Sequence, residues 1–128
     1  MAESITVTER IVVGGTSIGP SLAIPEGLLV GCDVTISASA ADEQIIIPID
    51  ISQVKLLFIL SELDLTLETN NGTTPDDTIA IKAGVPYLWR EDKVDSLILT
   101  ADVDAIFVTN GVAATSRLQI YAILDNTP

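Results

Sequence analysis

Apolar and polar residues alternate with a period of two along much of this chain. In residues 63–69, Leu63, Leu65 and Leu67 alternate with Asp64, Thr66 and Glu68, which puts leucines on one face of an extended strand and polar groups on the other. Residues 54–60 differ: apart from Lys55 they are apolar on both faces, so this strand is expected to run through the interior or beneath a subunit contact. Val54, Leu57, Phe58 and Ser61 also fit a helical spacing with Ser52 as a cap. A strand is the better reading, because no Glu or Gln stands three residues after Ser52 to complete a capping box and the alternation that follows needs an extended partner.

The same reading extends to both ends. Residues 4–13 place Ile5, Val7, Ile11 and Val13 at odd positions and predict a strand with one polar interruption. Gly14, Gly15, Gly19 and Pro20, followed by Pro25 and Gly27, predict turns. Residues 28–39 read as a strand with Gly31 at a bulge, and residues 45–49 as a strand that Pro48 confines to a sheet edge or a bend. Residues 70–77 are turn formers or short polar groups, and Ile79 and Ile81 then resume the alternation with Lys82 outward. Residues 87–89 form a short strand with Tyr87 and Trp89 on one face, and residues 90–96 read as a charged loop. Strands follow at 97–101, 103–109 and, after the turn signal Asn110-Gly111, at 115–124, where Leu118, Ile120, Ala122 and Leu124 oppose Gln119 and Tyr121. Eight or nine short strands with no long helix predict an all-β fold, an antiparallel two-sheet β-sandwich that is jelly-roll-like. At 128 residues the chain is expected to form one domain.

Charge and composition narrow the function. Eighteen acidic against six basic residues give a formal charge of −12, which argues against nucleic acid or an anionic membrane surface as partner. No run approaches the roughly 18 apolar residues of a membrane helix. The first four residues lack the basic and apolar regions of a signal peptide, and Cys32 stands alone, so folding in a reducing cytoplasm is expected.

Catalytic chemistry is sparse. The chain has no histidine, which removes Ser-His-Asp and Cys-His catalysis and histidine metal sites together. Gly14-Gly15-Thr16-Ser17-Ile18-Gly19 superficially suggests a nucleotide loop, but Pro20 and Pro25 follow where a helix must begin. Glu62 with Asp64, or Asp76 with Asp77, could serve a glycosidase or hold calcium; aromatic platforms are scarce at 4% and the alternating ligands of a calcium loop are missing, so a solvated loop is the simpler reading. The expectation is a non-enzyme with no cofactor and no metal. Tyr87, Trp89 and Arg90 group the residue types that dominate interfaces, and are read either as partly buried core or as an interface or sugar-binding anchor. Leu57 and Ile59 are read either as core or as a subunit contact.

Several segments together carry a resemblance: Ile51-Ser52-Gln53-Val54-Lys55, Asp64 through Gly72, Pro75-Asp76-Asp77-Thr78-Ile79, Leu99 through Val103, Phe107-Val108-Thr109-Asn110 and Leu118-Gln119-Ile120. They resemble small β-sandwich structural proteins of tailed bacteriophages, most like capsid decoration (cement) proteins, over roughly the last two-thirds of the chain. The resemblance implies a virion component on the capsid surface, a homotrimer that contacts the major capsid protein and bridges capsomers, with residues 1–4 or 126–128 as arms toward a neighbour. The alternative it leaves is a glycan- or receptor-binding module on a phage fibre or capsid surface.

Overall fold

The computed structural model describes residues 3–8, 11–13, 16–18, 21–92 and 96–125, with side chains described from residue 27 onward. Of the arms expected at residues 1–4 and 126–128, residues 1–2 and 126–128 lie outside the described residues, while Glu3 and Ser4 belong to a strand paired within the sheet. Eleven strands follow one another: β1 (Glu3–Thr8), β2 (Ile11–Val13), β3 (Thr16–Ile18), β4 (Ser21–Ile36), β5 (Glu43–Ile49), β6 (Val54–Ser61), β7 (Leu65–Thr69), β8 (Thr78–Ile81), β9 (Tyr87–Arg90), β10 (Val103–Thr109) and β11 (Ser116–Asp125). No helix occurs among the described residues, so none is long and apolar enough to cross a membrane.

A five-stranded sheet has the order β1-β4-β11-β6-β9 and a four-stranded sheet the order β5-β10-β7-β8. Strands pair antiparallel as β4 with β11, β5 with β10, β6 with β9 and β7 with β8. This nesting is what results when one long antiparallel ribbon, folded at the β7–β8 connection, wraps into two facing sheets, which is the jelly-roll topology. The predicted sandwich is therefore the observed one.

The core lies between the sheets. From the five-stranded sheet come Ile36, Leu57, Ile59, Leu118, Ile120 and Ala122, and from the other Ile47, Ile49, Leu65, Leu67, Ile79, Ile81, Val103, Ile106 and Val108, all buried. Period-two alternation delivers one apolar set per strand to this space and sends its neighbours outward. β5 is an edge strand with Pro48 exposed, as a residue without an N–H requires.

Three local expectations are corrected. Residues 97–101 form no strand: Ile98 N donates to Tyr87 Oη (3.3 Å) and Thr100 N to Asp77 Oδ2 (2.8 Å), so side chains take the amides a ladder would use. Gly31 is not at a bulge, since it pairs in register with Tyr121; a Cβ there would overlap the Ile120 carbonyl oxygen and the Tyr121 ring. The turns expected at Gly14-Gly15 and at Gly19-Pro20 lie outside the described residues, on either side of β3, which pairs with β2; the turn expected at Pro25 and Gly27 is replaced by β4, which runs through both. An extra residue enters β4 between Ile24 and Gly27, opposite the step from Glu3 to Ile5 in β1, and a bulge of this kind accommodates the proline.

Candidate interaction surface

Register separates the residues singled out from the sequence. Leu57 and Ile59 are each 1% exposed in the inter-sheet core. Trp89 pairs with Leu57 and Tyr87 with Ile59, so both aromatics take the inner face, where they are half-buried against that core. Arg90 pairs with Leu56 and therefore takes the outer face. Its guanidinium, 1% exposed, donates to both carboxylate oxygens of Asp92, from Nε at 3.1 Å and from Nη2 at 2.9 Å. The five residues thus divide between two faces of one sheet and do not gather into a site.

Buried polar groups hold turns together. Asn110 Nδ2 donates to the carbonyls of Ser37 (3.1 Å) and Ala114 (2.8 Å), while its Oδ1 accepts from Val112 N (3.0 Å). Ser116 Oγ accepts from Leu63 N (3.2 Å), and Thr69 Oγ1 accepts from Asp77 N (2.9 Å). Asn70, at φ 66°, joins the loop after β7 to the start of β10: its Nδ2 donates to Asp76 Oδ2 (2.7 Å) and Asp102 O (2.7 Å), and its Oδ1 accepts from Asp104 N (2.8 Å). Asp77 accepts from both the amide and the hydroxyl of Thr100. Of the carboxylates weighed as a calcium loop, Asp76 thus holds the Asn70 side chain and Asp77 the backbone and hydroxyl of Thr100. No three His, Cys, Asp or Glu side chains converge as metal ligands among the described residues. Cys32 faces inward opposite Ile120, and burial pushes its thiol up.

A groove of about 350 Å³ opens between the sheets at one end, lined by Leu28, Val30, Ile49, Val103 and Leu124, with Asp50, Asp102 and Asp104 also along it. Asp102 accepts from Ile51 N and Asp50 from Ser52, so these carboxylates too serve the backbone. Among the described residues the walls of the groove are chiefly apolar.

The outer faces of the two sheets differ in chemistry. On the five-stranded sheet Leu56 and Ile123 are each 5% exposed and carry Phe58 and Leu88 packed on them, a second hydrophobic cluster separate from the core. Tyr121 is half-buried on the same face, and Leu29, paired with Ile123, is 58% exposed. Charges at the rim come in pairs: Lys55 Nζ lies 2.8 Å from Glu91 Oε2, and Arg117 Nη2 lies 2.6 Å from Asp33 Oδ2. The first contact, above all its hydrogen bond, raises the Lys55 ammonium; the Arg117 guanidinium, by its hydrogen bond first, lowers the Asp33 carboxyl. On the four-stranded sheet Glu68 stands beside Asp42, and its carboxyl is pushed up by desolvation and then by the hydrogen bond and charge of Asp42.

β4 continues past the body of its sheet. β11 accompanies it from Gly27 to Ile36, and over Ser21–Gly27 the partner is β1. Packing of β1 is confined essentially to β4, and that of β2 to β3, so β1 and residues 21–27 of β4 form a two-stranded ribbon, with β2 and β3 as a separate hairpin. The strand expected over residues 4–13 with one polar interruption is seen as β1 and β2, but its partners, β3 and residues 21–27 of β4, were missed because Gly19, Pro20 and Pro25 outweigh the short β-prone runs between them; the signal available was the match of Ile5 and Val7 with Leu22 and Ile24. Comparison with protein-family models and with curated protein sequences finds no match to the chain.

Proposed function

We propose that this chain is a capsid decoration protein, one that binds the outside of a tailed-phage head as an oligomer, trimeric by the resemblance, and bridges units of the major capsid protein. The observation that carries the reading is the ribbon of β1 with residues 21–27 of β4, which continues β4 past the end of its pairing with β11. A clamp needs a rigid body and a projecting element that crosses to a neighbour, and this chain supplies both. The strand and turn segments quoted above support the same reading, and the buried polar groups, engaged in holding turns, suit a structural task. A glycan-binding role would want open aromatic faces, and Tyr87 and Trp89 are half-buried against the core.

The test is direct. Heads lacking this chain are mixed with purified protein, sedimented, and challenged by heat and osmotic shock. Saturable binding with raised resistance is expected; heads that neither bind the chain nor gain resistance would sink the reading.

A further inference from the structure

We infer that Asn71 and Gly72, in the loop between β7 and β8, are a site of spontaneous intramolecular modification: the Gly72 nitrogen closes on the Asn71 side chain and expels ammonia, and water then opens the ring to an aspartyl or isoaspartyl residue. The chain holds two Asn-Gly pairs, Asn71-Gly72 and Asn110-Gly111. Their surroundings are opposite.

Asn71 is exposed, and its Oδ1 accepts from the amides of Thr73 (2.7 Å) and Thr74 (3.0 Å). Those two N–H groups stand where negative charge collects when a nucleophile adds to Cγ, as the donors of an oxyanion hole do. Neither Asn71 Nδ2, the group that must leave, nor the Gly72 amide, the group that must attack, has a hydrogen-bond partner among the described residues. Attacker and target are neighbours in one chain, so their encounter costs no translational freedom. Asn110, by contrast, is 1% exposed, and its Nδ2 donates to the carbonyls of Ser37 and Ala114. Its loss as ammonia would leave two carbonyls without their donor, at a site that excludes the water needed to open the ring.

Glycine at position 72 has its own structural reason. A Cβ there would lie 3.0 Å from Asp42 Cγ and 3.1 Å from Asp42 Oδ2, so the loop sets a bare Cα against that carboxylate. The same lack of a side chain leaves the Gly72 nitrogen open to approach Cγ.

In the first step hydroxide takes the Gly72 N–H proton, the N–Cγ bond forms, and the carbonyl electron pair moves onto Oδ1. That pair then returns, the Cγ–Nδ2 bond breaks, and Nδ2 takes a proton from water and leaves as ammonia. Water finally adds to one carbonyl of the ring. Cleavage at Cγ leaves Asp, and cleavage at the Asn71 backbone carbonyl leaves the isoaspartyl linkage; one water is consumed and one ammonia released, with no change of oxidation state. Either product adds a carboxylate to a loop that already carries Asp76 and Asp77. The isoaspartyl product also inserts a methylene into the main chain next to Asn70, so it loosens the tie that Asn70 makes to the start of β10.

The inference is independent of the capsid reading, and its test uses the purified full chain. The protein is held at about pH 8, folded and, in parallel, in concentrated guanidinium chloride, and residues 71 and 110 are followed by peptide mass mapping, each conversion adding about 1 Da. In the folded protein Asn71 should convert at least as fast as in denaturant and about tenfold or more faster than Asn110, whereas in denaturant the two sites should convert at similar rates. Gly72→Ala should slow conversion at residue 71 about tenfold or more, because the methyl crowds the attacking nitrogen. An Asn71 that converts more slowly folded than unfolded, that converts no faster than Asn110 in the folded protein, or that keeps its rate in Gly72→Ala would in each case overturn the inference.

Discussion

Asn70 is the residue whose replacement tests the fold most sharply. It occupies the left-handed region at φ 66°, and its side chain makes three hydrogen bonds that join the loop after β7 to the chain entering β10. Asn70→Ala removes all three, each contributing about 0.5–1 kcal/mol at positions open to water. It also places a Cβ without local compensation in left-handed backbone, at a cost of about 1 kcal/mol. The expected loss is therefore about 3 kcal/mol, or roughly 10 °C in Tm for a chain of this size. Asn70→Gly removes the same bonds but not the conformational freedom, and should retain about 1 kcal/mol of the difference. Asn70→Asp keeps the acceptor for Asp104 N but sets a carboxylate against Asp76 and the Asp102 carbonyl, so it should be weakest at neutral pH and recover part of its stability in acid. Urea unfolding followed by the fluorescence of Trp89, half-buried against the core, measures each variant. An Asn70→Ala protein within about 0.5 kcal/mol of wild type would refute the idea that this side chain holds the two segments together.

Three further outcomes are expected. Gly31→Ala should destabilise by about 1–3 kcal/mol in urea melts, because the added methyl meets the fixed Ile120 carbonyl as well as the Tyr121 ring. Glu68 has its folded-state pKa raised, so the folded state favours its protonated form; the resulting stability is present in acid and is lost as pH rises through that pKa. Glu68→Gln should accordingly raise Tm at neutral pH and not at about pH 3, and equal shifts at both would exclude the ionisation of Glu68 as the cause. Asp33 is the opposite case: its lowered pKa contributes stability above the ordinary aspartate range that disappears as pH falls through the folded value. Arg117→Met should abolish that slope, and salt should shrink the difference because the pair is exposed.

Strand positions in the sandwich were legible wherever alternation met no strong turn former. Residues 103–109 match β10, and the expected 54–60 and 115–124 differ from β6 and β11 by a residue or so at the ends. Residues 97–101 are as β-prone as these, yet their amides find Tyr87 and Asp77, partners that lie 11 and 23 positions away and leave no local trace. Leu99 is buried all the same, so hydrophobicity correctly marked a core residue while misreading its backbone. Tyr87 and Trp89 do share a face, as alternation required, but which face follows from pairing with Ile59 and Leu57, and pairing is a tertiary fact.

The apolar surplus of the chain has the same origin. A two-sheet sandwich requires one apolar set per strand, and β6 has two: Leu57 and Ile59 enter the core, while Leu56 and Phe58 build a second cluster on the outside. The sequence posed the alternatives of interior or subunit contact for this strand, and its inner and outer faces meet different needs. Its neighbour β11 repeats the pattern, with Leu118, Ile120 and Ala122 inward and Tyr121 and Ile123 outward, and β4 carries it on through Leu29. Leu56 and Ile123 are nevertheless only 5% exposed, so the outer apolar set of β6 and β11 packs within the single chain as a second cluster with Phe58 and Leu88, while Leu29 of β4, paired with Ile123, is 58% exposed.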